Sequence, residues 1–240
     1  MTVIQQAAIL LDIEGTTTPV AYVFGVLFPF ARDRVAGFLA TEGEDPAVQA
    51  DLYRLRQEYE SDAAQGLPLP GWQGTQAIAA VPYIQHLIAC DRKSTGLKSL
   101  QGKIWQQGYH SGKLRSQIFP DVKPAFERWT AADKKLFIFS SGSVQAQQLI
   151  FRYCEAGDLT PFLSGYFDTQ SGPKKEPASY CNIATSIGLP ARDILFISDV
   201  VAELSAAQTA GMATLFSQRP GNHSLDAGEF TAIQNFDGLD

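Results

Sequence analysis

Long apolar runs are missing from the chain. The longest, residues 21–31, is about half the ~20 residues that a membrane-spanning helix needs, and Pro29 interrupts it. No association with a membrane is expected. The first basic residue is Arg32, so the positive region of a secretory leader is absent as well, and a cytoplasmic protein is the expectation. Cysteine is scarce: Cys90, Cys154 and Cys181 are odd in number, far apart and without a CxxC pair. That argues against a disulfide frame and a thiolate zinc site, and it reads the three as buried or inert thiols. His86, His110 and His223 are too scattered in sequence for a typical histidine metal site. Positive charge is in deficit, with 19 Lys and Arg against 25 Asp and Glu for a net charge of −6 and no basic tract, so DNA and RNA are excluded as expected partners.

What is present is ordinary globular usage. Hydrophobic residues at 45% and charged residues at 18% argue against disorder, collagen-like repeats and coiled coil. The 240 residues exceed a typical domain of about 150, which leaves one large domain or a core carrying an insertion. Short β-rich runs at 8–11, 136–139, 194–197 and 213–216, with a weaker one at 165–167, alternate with helical patterns at 144–153, 179–187 and 202–210. That rhythm predicts an α/β fold with a doubly wound, Rossmann-type parallel sheet. One interval breaks it: from Asp12 to Ser140 the chain runs on for roughly a hundred residues more than the ~30 that a strand-helix-strand unit needs. Apolar spacing in that interval predicts helices within 27–39, 48–59 and 77–90, with a break at 66–71 around Pro68 and Pro70 and a return towards the sheet at 119–122. The expected organisation is a core of residues 1–20 and 116–240 with a helical cap, 21–115, inserted after the first strand.

In an open parallel sheet, ligands bind where loops leave the carboxyl ends of the strands. The first strand is followed by Asp12, Ile13, Glu14, Gly15 and three threonines. Two carboxylates this close can divide labour, one ionised as nucleophile and one protonated as acid; a capped turn is the plainer alternative. After the second strand, Ser140, Ser141, Gly142 and Ser143 enter a helix whose free N–H groups suit a phosphate, although serine is also a routine helix N-cap. After the third strand come Asp168, Gly172 and Lys174, where a lysine could neutralise a phosphoryl group or simply be solvated. After the fourth, Asp199 stands at the strand end and Glu203 a helical turn later. An acid from this strand facing one from the first would make a hard-oxygen site for Mg2+, the alternative being an N-capping aspartate.

The order of acid pair, hydroxyl, lysine and acid at successive strand ends resembles the haloacid dehalogenase-like hydrolase superfamily. Glu14 departs from the second aspartate usual there. With that glutamate, residues 11–20 resemble the enolase-phosphatases of methionine salvage, as do 140–147 and 91–105. The resemblance implies a Mg2+-dependent enzyme that enolises 2,3-diketo-5-methylthiopentyl-1-phosphate and then dephosphorylates it to the acireductone. It further implies Asp12 as nucleophile, Glu14 as acid and base, Mg2+ on Asp12, the Glu14 carbonyl and Asp199, and phosphoryl contacts from Ser140, Ser141 and Lys174. Glu203 would orient Lys174 or a metal-bound water. A cap would supply specificity, and Trp105 and Tyr109, four apart on a helix, read first as core. A monomer is the default for a small acidic enzyme.

The nearest alternative is a capped phosphatase of the same superfamily acting on another small phosphomonoester without an enolase step. A haloalkanoic acid dehalogenase would need neither Glu14 nor Asp199. A phospho-receiver domain would carry its acid pair after the first strand and its phosphorylated aspartate after the third, which this order does not match.

Overall fold

The computed structural model describes residues 3–240. In chain order its elements are β1 (Ala8–Leu11), α1 (Val20–Tyr22), α2 (Phe28–Glu42), α3 (Pro46–Ala64), α4 (Val81–Ala89), α5 (Thr95–His110), α6 (Val122–Ala131), β2 (Lys135–Phe139), α7 (Val144–Arg152), β3 (Leu163–Phe167), α8 (Pro177–Ile187), β4 (Ile194–Ser198), α9 (Val201–Thr209), β5 (Ala213–Ser217) and β6 (Ala232–Ile233). Two compact units result. One joins the chain up to Val23 with Arg115–Asp240, and the other is Phe24–Leu114.

The first unit is a parallel six-stranded sheet in the order β3-β2-β1-β4-β5-β6. Its central strands are unbroken apolar runs because helices cover both faces of such a sheet. β1 and β4 are buried along their whole length. Alternation along the strands sends Ala8, Leu10, Phe139 and Phe196 into a cluster with Tyr180 and Ile183 of α8 and Leu204 of α9. Ile9, Leu11, Ile138 and Ile197, on the opposite face, are equally buried. Each such side chain contributes roughly 1.5–3 kcal/mol of transfer free energy, which anchors the strand ends from which the functional loops spring. The apolar runs of the sequence locate β1, β2, β4 and β5 closely and β3 by its last three residues. β6 has only two residues and no pattern of its own; Phe216 N donates to Thr231 O at 2.9 Å and Gln218 N to Ile233 O at 2.8 Å, so its partner strand defines it.

The second unit is helical. A π-turn, Val23–Leu27, leads into α2. α3 comes close to α5 at Gly96, where a Cβ would lie 3.0 Å from Leu55 Cγ and 3.1 Å from Asp51 O. Asp51 is buried there, holding Arg54 at 3.1 Å and the ammonium of Lys103. Trp105 and Tyr109 are buried within this unit, the Trp105 indole N–H donating to Leu27 O at 2.9 Å and its ring stacking on Phe28. They are core residues here.

The expectation for the thiols needs correction. Cys154 is buried, but Cys90, at the C-terminal end of α4, and Cys181, on the face of α8 opposite Tyr180 and Ile183, are exposed. Among the described residues no helix is long and apolar enough to cross a membrane.

Candidate active site

Strand order sets where the site is. β1 pairs with β2 on one side and β4 on the other, and the chain reverses its winding between β1 and β4, which opens a crevice at their carboxyl ends. Asp12 follows β1 directly and its N–H continues the ladder to Ile197 O at 3.0 Å; Ser140 follows β2 with its N–H on Phe167 O at 3.2 Å; Asp199 follows Ser198, the last residue of β4. The structure therefore brings Asp12, Ser140 and Asp199 to the ends of neighbouring strands.

The turn after β1 is wound around one carbonyl. Ile13 O accepts from Thr16 N at 3.2 Å, Thr17 N at 2.9 Å and Thr18 N at 2.8 Å, and Gly15 N closes the turn on Thr18 O at 2.8 Å. Gly15 sits at φ +66, and a Cβ there would stand 2.2 Å from Asp199 Oδ2. Only glycine fits, because both the left-handed backbone and the space for a carboxylate require it.

Lys174 is the hinge of the electrostatics. Its ammonium is buried, 2.7 Å from Asp12 Oδ1 and 2.6 Å from Glu203 Oε2. Ser198 Oγ lies 3.2 Å from Asp12 Oδ2 and 3.0 Å from Glu203 Oε2, and Ile13 N donates to Asp12 Oδ1 at 2.8 Å. The Tyr180 hydroxyl donates to Lys174 O at 2.7 Å, and Lys174 Nζ stands over the Phe139 ring at 5.6 Å. Burial works to lower the pKa of Lys174, but Asp12 and Glu203 outweigh it and hold the ammonium above its ordinary value. Burial raises Glu203 against the pull of Lys174. Asp199 is pushed up to about 7, first by burial and then by the charges of Asp12 and Glu14. One lysine thus faces more carboxylates than it can balance. The site has room in its charge for a cation.

The capping alternative holds for Ser143 but not for Ser140, Ser141 or Asp199. The N-cap of α7 is Ser143, whose hydroxyl accepts from Ala146 N at 3.3 Å, so neither Ser140 nor Ser141 caps that helix. Ser140 Oγ accepts from Gly142 N at 3.3 Å within this turn. The N-cap of α9 is Val200 without a side-chain bond, so the carboxylate of Asp199 is not used for capping. Glu14 is partly exposed, with His223 Nε2 at 3.8 Å from its Oε1.

Mg2+ prefers carboxylates, carbonyls and waters. Among the described residues no group of three His, Cys, Asp or Glu side chains is arranged to hold a metal. Asp12, Asp199 and the main-chain carbonyl of Glu14 offer two carboxylates and a carbonyl instead, and the uncompensated acidity at Asp199 is what a hydrated divalent cation would relieve. The donor set fits Mg2+.

Several residues of the site carry no sequence signal strong enough to single them out. Ser198 links Asp12 to Glu203, yet a serine at a strand end looks like any cap. Gln147 is buried one turn into α7, its amide donating to Gly142 O at 2.9 Å and Phe167 O at 2.8 Å, which fixes the serine turn. Ser217 Oγ, at the end of β5, and Asn222 Nδ2, in the loop after it, both donate to Gly15 O, at 3.0 and 3.1 Å.

A parallel sheet with acid, hydroxyl, lysine and acid at its switch point defines a class, and residues 6–211 match the family model of the haloacid dehalogenase-like hydrolases. Within that class the chain is 64% identical over 231 residues to enolase-phosphatase E1 of Synechococcus elongatus, covering 96% of both chains. It is 50% identical over 220 residues to enolase-phosphatase E1 of Pseudomonas aeruginosa, covering 91% of this chain and 92% of the other. The crystal structure of the UTR4 protein of Saccharomyces cerevisiae superposes with a TM-score of 0.78 at 34% identity over 98% of this chain and 100% of that one. CbbY of Rhodobacter sphaeroides, at 15% identity and a TM-score of 0.59, shares the fold. The chain belongs to the haloacid dehalogenase-like hydrolases and, among them, to the enolase-phosphatase E1 family.

Proposed function

We propose that the protein is a bifunctional, Mg2+-dependent enolase-phosphatase, an acireductone synthase acting on 2,3-diketo-5-methylthiopentyl-1-phosphate in methionine salvage. The observation that carries the reading is the placement of Asp12, tied to Lys174 and Ser198 at the switch point, with Asp199 the residue after Ser198, in a chain of this family.

In this reading Asp12 is the nucleophile. Its carboxylate is held by the ion pair with Lys174 and the bond from Ile13 N, and attack on phosphorus, with the ester oxygen leaving, gives an aspartyl-phosphate. Glu14, two residues on and partly exposed, donates its proton to the leaving oxygen and then takes one from the hydrolytic water. Lys174, Ser140 and Ser141 hold the phosphoryl oxygens, and Glu203 keeps Lys174 in place. Mg2+, held by Asp12, the Glu14 carbonyl and Asp199, would supply the positive charge that screens an anionic ester from a carboxylate nucleophile and would polarise the carbonyl next to the carbon that is enolised. Glu14 is also this chain's candidate for removing the proton from that carbon. The helical unit serves as the cap that selects the substrate, with its sequence boundaries at 21–115, and the enzyme works as a cytoplasmic monomer.

The test is an anaerobic incubation with the diketo phosphate and Mg2+, following inorganic phosphate and the ultraviolet absorption of the enediol together, beside a panel of ordinary phosphomonoesters. Phosphate and enediol are expected in step on the diketo compound. Release from the other esters with the diketone ignored would leave a superfamily phosphatase and remove the enolase step. Light scattering on the eluting protein tests the monomer.

A further inference from the structure

Three consecutive carbonyls of the turn after β1 are bonded from outside that turn. Gly15 O takes the bonds from Ser217 and Asn222, Thr16 O accepts from Arg219 Nε at 3.2 Å, and Thr17 O accepts from Phe119 N at 3.0 Å. Arg219 is the centre of this arrangement. It is 2% exposed, and its Nη1 and Nη2 form a two-pronged pair with Asp121 Oδ1 and Oδ2 at 2.9 and 2.8 Å. Nη1 also donates to Gln234 O at 3.1 Å, and the guanidinium lies between the rings of Phe119 and Phe236, 4.6 and 4.5 Å from their centroids. Asp121 Oδ2 accepts in addition from Phe236 N at 2.7 Å.

A buried ion pair is a poor source of net stability, since desolvating both charges consumes most of the attraction, and an apolar pair of similar volume often serves as well. A planar fork clamped between two rings is, however, very stiff. Four of its donor bonds are made, three of them to Asp121 and Gln234, and the remaining one is to the backbone of the turn that carries Asp12 and Glu14. We propose that Arg219, locked by Asp121, is a positioning residue for the nucleophile turn, fixing the Thr16 carbonyl and with it the direction in which Asp12 and Glu14 leave β1. The proposal takes from the functional reading only that this turn is the catalytic one.

Arg219→Lys keeps the charge and loses the fork; Asp121→Asn keeps the shape and loses the ion pair. The measurement is hydrogen exchange of the amides of Gly15, Thr16, Thr17 and Thr18 against those of β1 and β2, alongside kcat and KM. Exchange of the turn amides should rise about tenfold or more with the strand amides unchanged, kcat should fall by about tenfold or more with KM within about threefold, and the double variant should be little worse than Arg219→Lys. Turn amides that exchange as in the parent, or a rise shared equally by β1 and β2, would overturn the proposal. Sustained turnover by Asp12→Asn in the same assay would remove the functional reading while the exchange data still decide the brace.

Discussion

The ammonium of Lys174 sits 2.7 Å from Asp12 and 2.6 Å from Glu203, and only 8% of the lysine is left exposed to water. Both carboxylates depend on a single cation that is itself desolvated. Removing it by Lys174→Met leaves two buried acids uncompensated, and a loss of about 3–5 kcal/mol in unfolding free energy is expected together with loss of phosphate release. Adding Glu203→Gln should recover part of the stability and none of the activity, as denaturant titration and a phosphate assay would show.

Gly15→Ala probes the contact between the nucleophile turn and Asp199. The left-handed backbone alone costs about 1–2 kcal/mol for a residue with a Cβ. The new methyl would also overlap Asp199 Oδ2, so one of the two must move. Binding of Mg2+ followed by calorimetry should weaken by about tenfold for every 1.4 kcal/mol of that displacement; unchanged binding would show that Asp199 has another place to go.

In the metal-free protein Asp199 imposes a pH dependence on stability. Its folded pKa is raised to about 7, so between roughly 4 and 7 the folded state binds a proton that the unfolded chain has released. The unfolded state then carries fewer protons, and the slope of unfolding free energy with pH is negative. The contribution is fully present below the unfolded pKa and is lost as pH rises to about 7, by an amount on the order of a few kcal/mol. Urea melts in a chelator across this range should show the decline in the parent and a flatter profile in Asp199→Asn.

Asp12→Asn keeps the size of the side chain and removes its nucleophilic charge. Phosphate release should fall below detection while circular dichroism stays that of the parent. Chelation should stop turnover in the parent, and Mg2+ added back should restore it.

How far the sequence announced this site depends on how local each signal is. Asp12 and Asp199 each follow a run of buried apolar residues, so strand end and acid can be read together. Lys174 lies well past β3, and the residues alone left it as easily solvated as functional; its ion pairs exist only because the loop folds back over β1 and β4. Ser198 and Gln147 act through buried bonds to groups far away in sequence, which no local pattern records. Arg219 is the extreme case, since Thr16, Asp121 and Gln234 come from three separate stretches. In the helical unit the apolar spacing found helices, but 77–90 divides into a 3-10 turn, Ala77–Ala80, and α4, because Pro82, which has no N–H to donate, belongs in the first turn of a helix and sets where α4 begins.

The position of β1 also has a consequence for how the chain is made. Its partners in the sheet, β2 and β4, follow only after the whole helical unit, so the strand that leads into Asp12 leaves the ribosome long before either neighbour exists. Until then Ala8, Ile9, Leu10 and Leu11 form an apolar segment with both hydrogen-bonding edges open, the kind of segment that pairs with the wrong chain. Nascent chains stalled before β4 should therefore be the most prone to clump, and a chaperone that shields the first dozen residues would protect the future nucleophile as well as the fold.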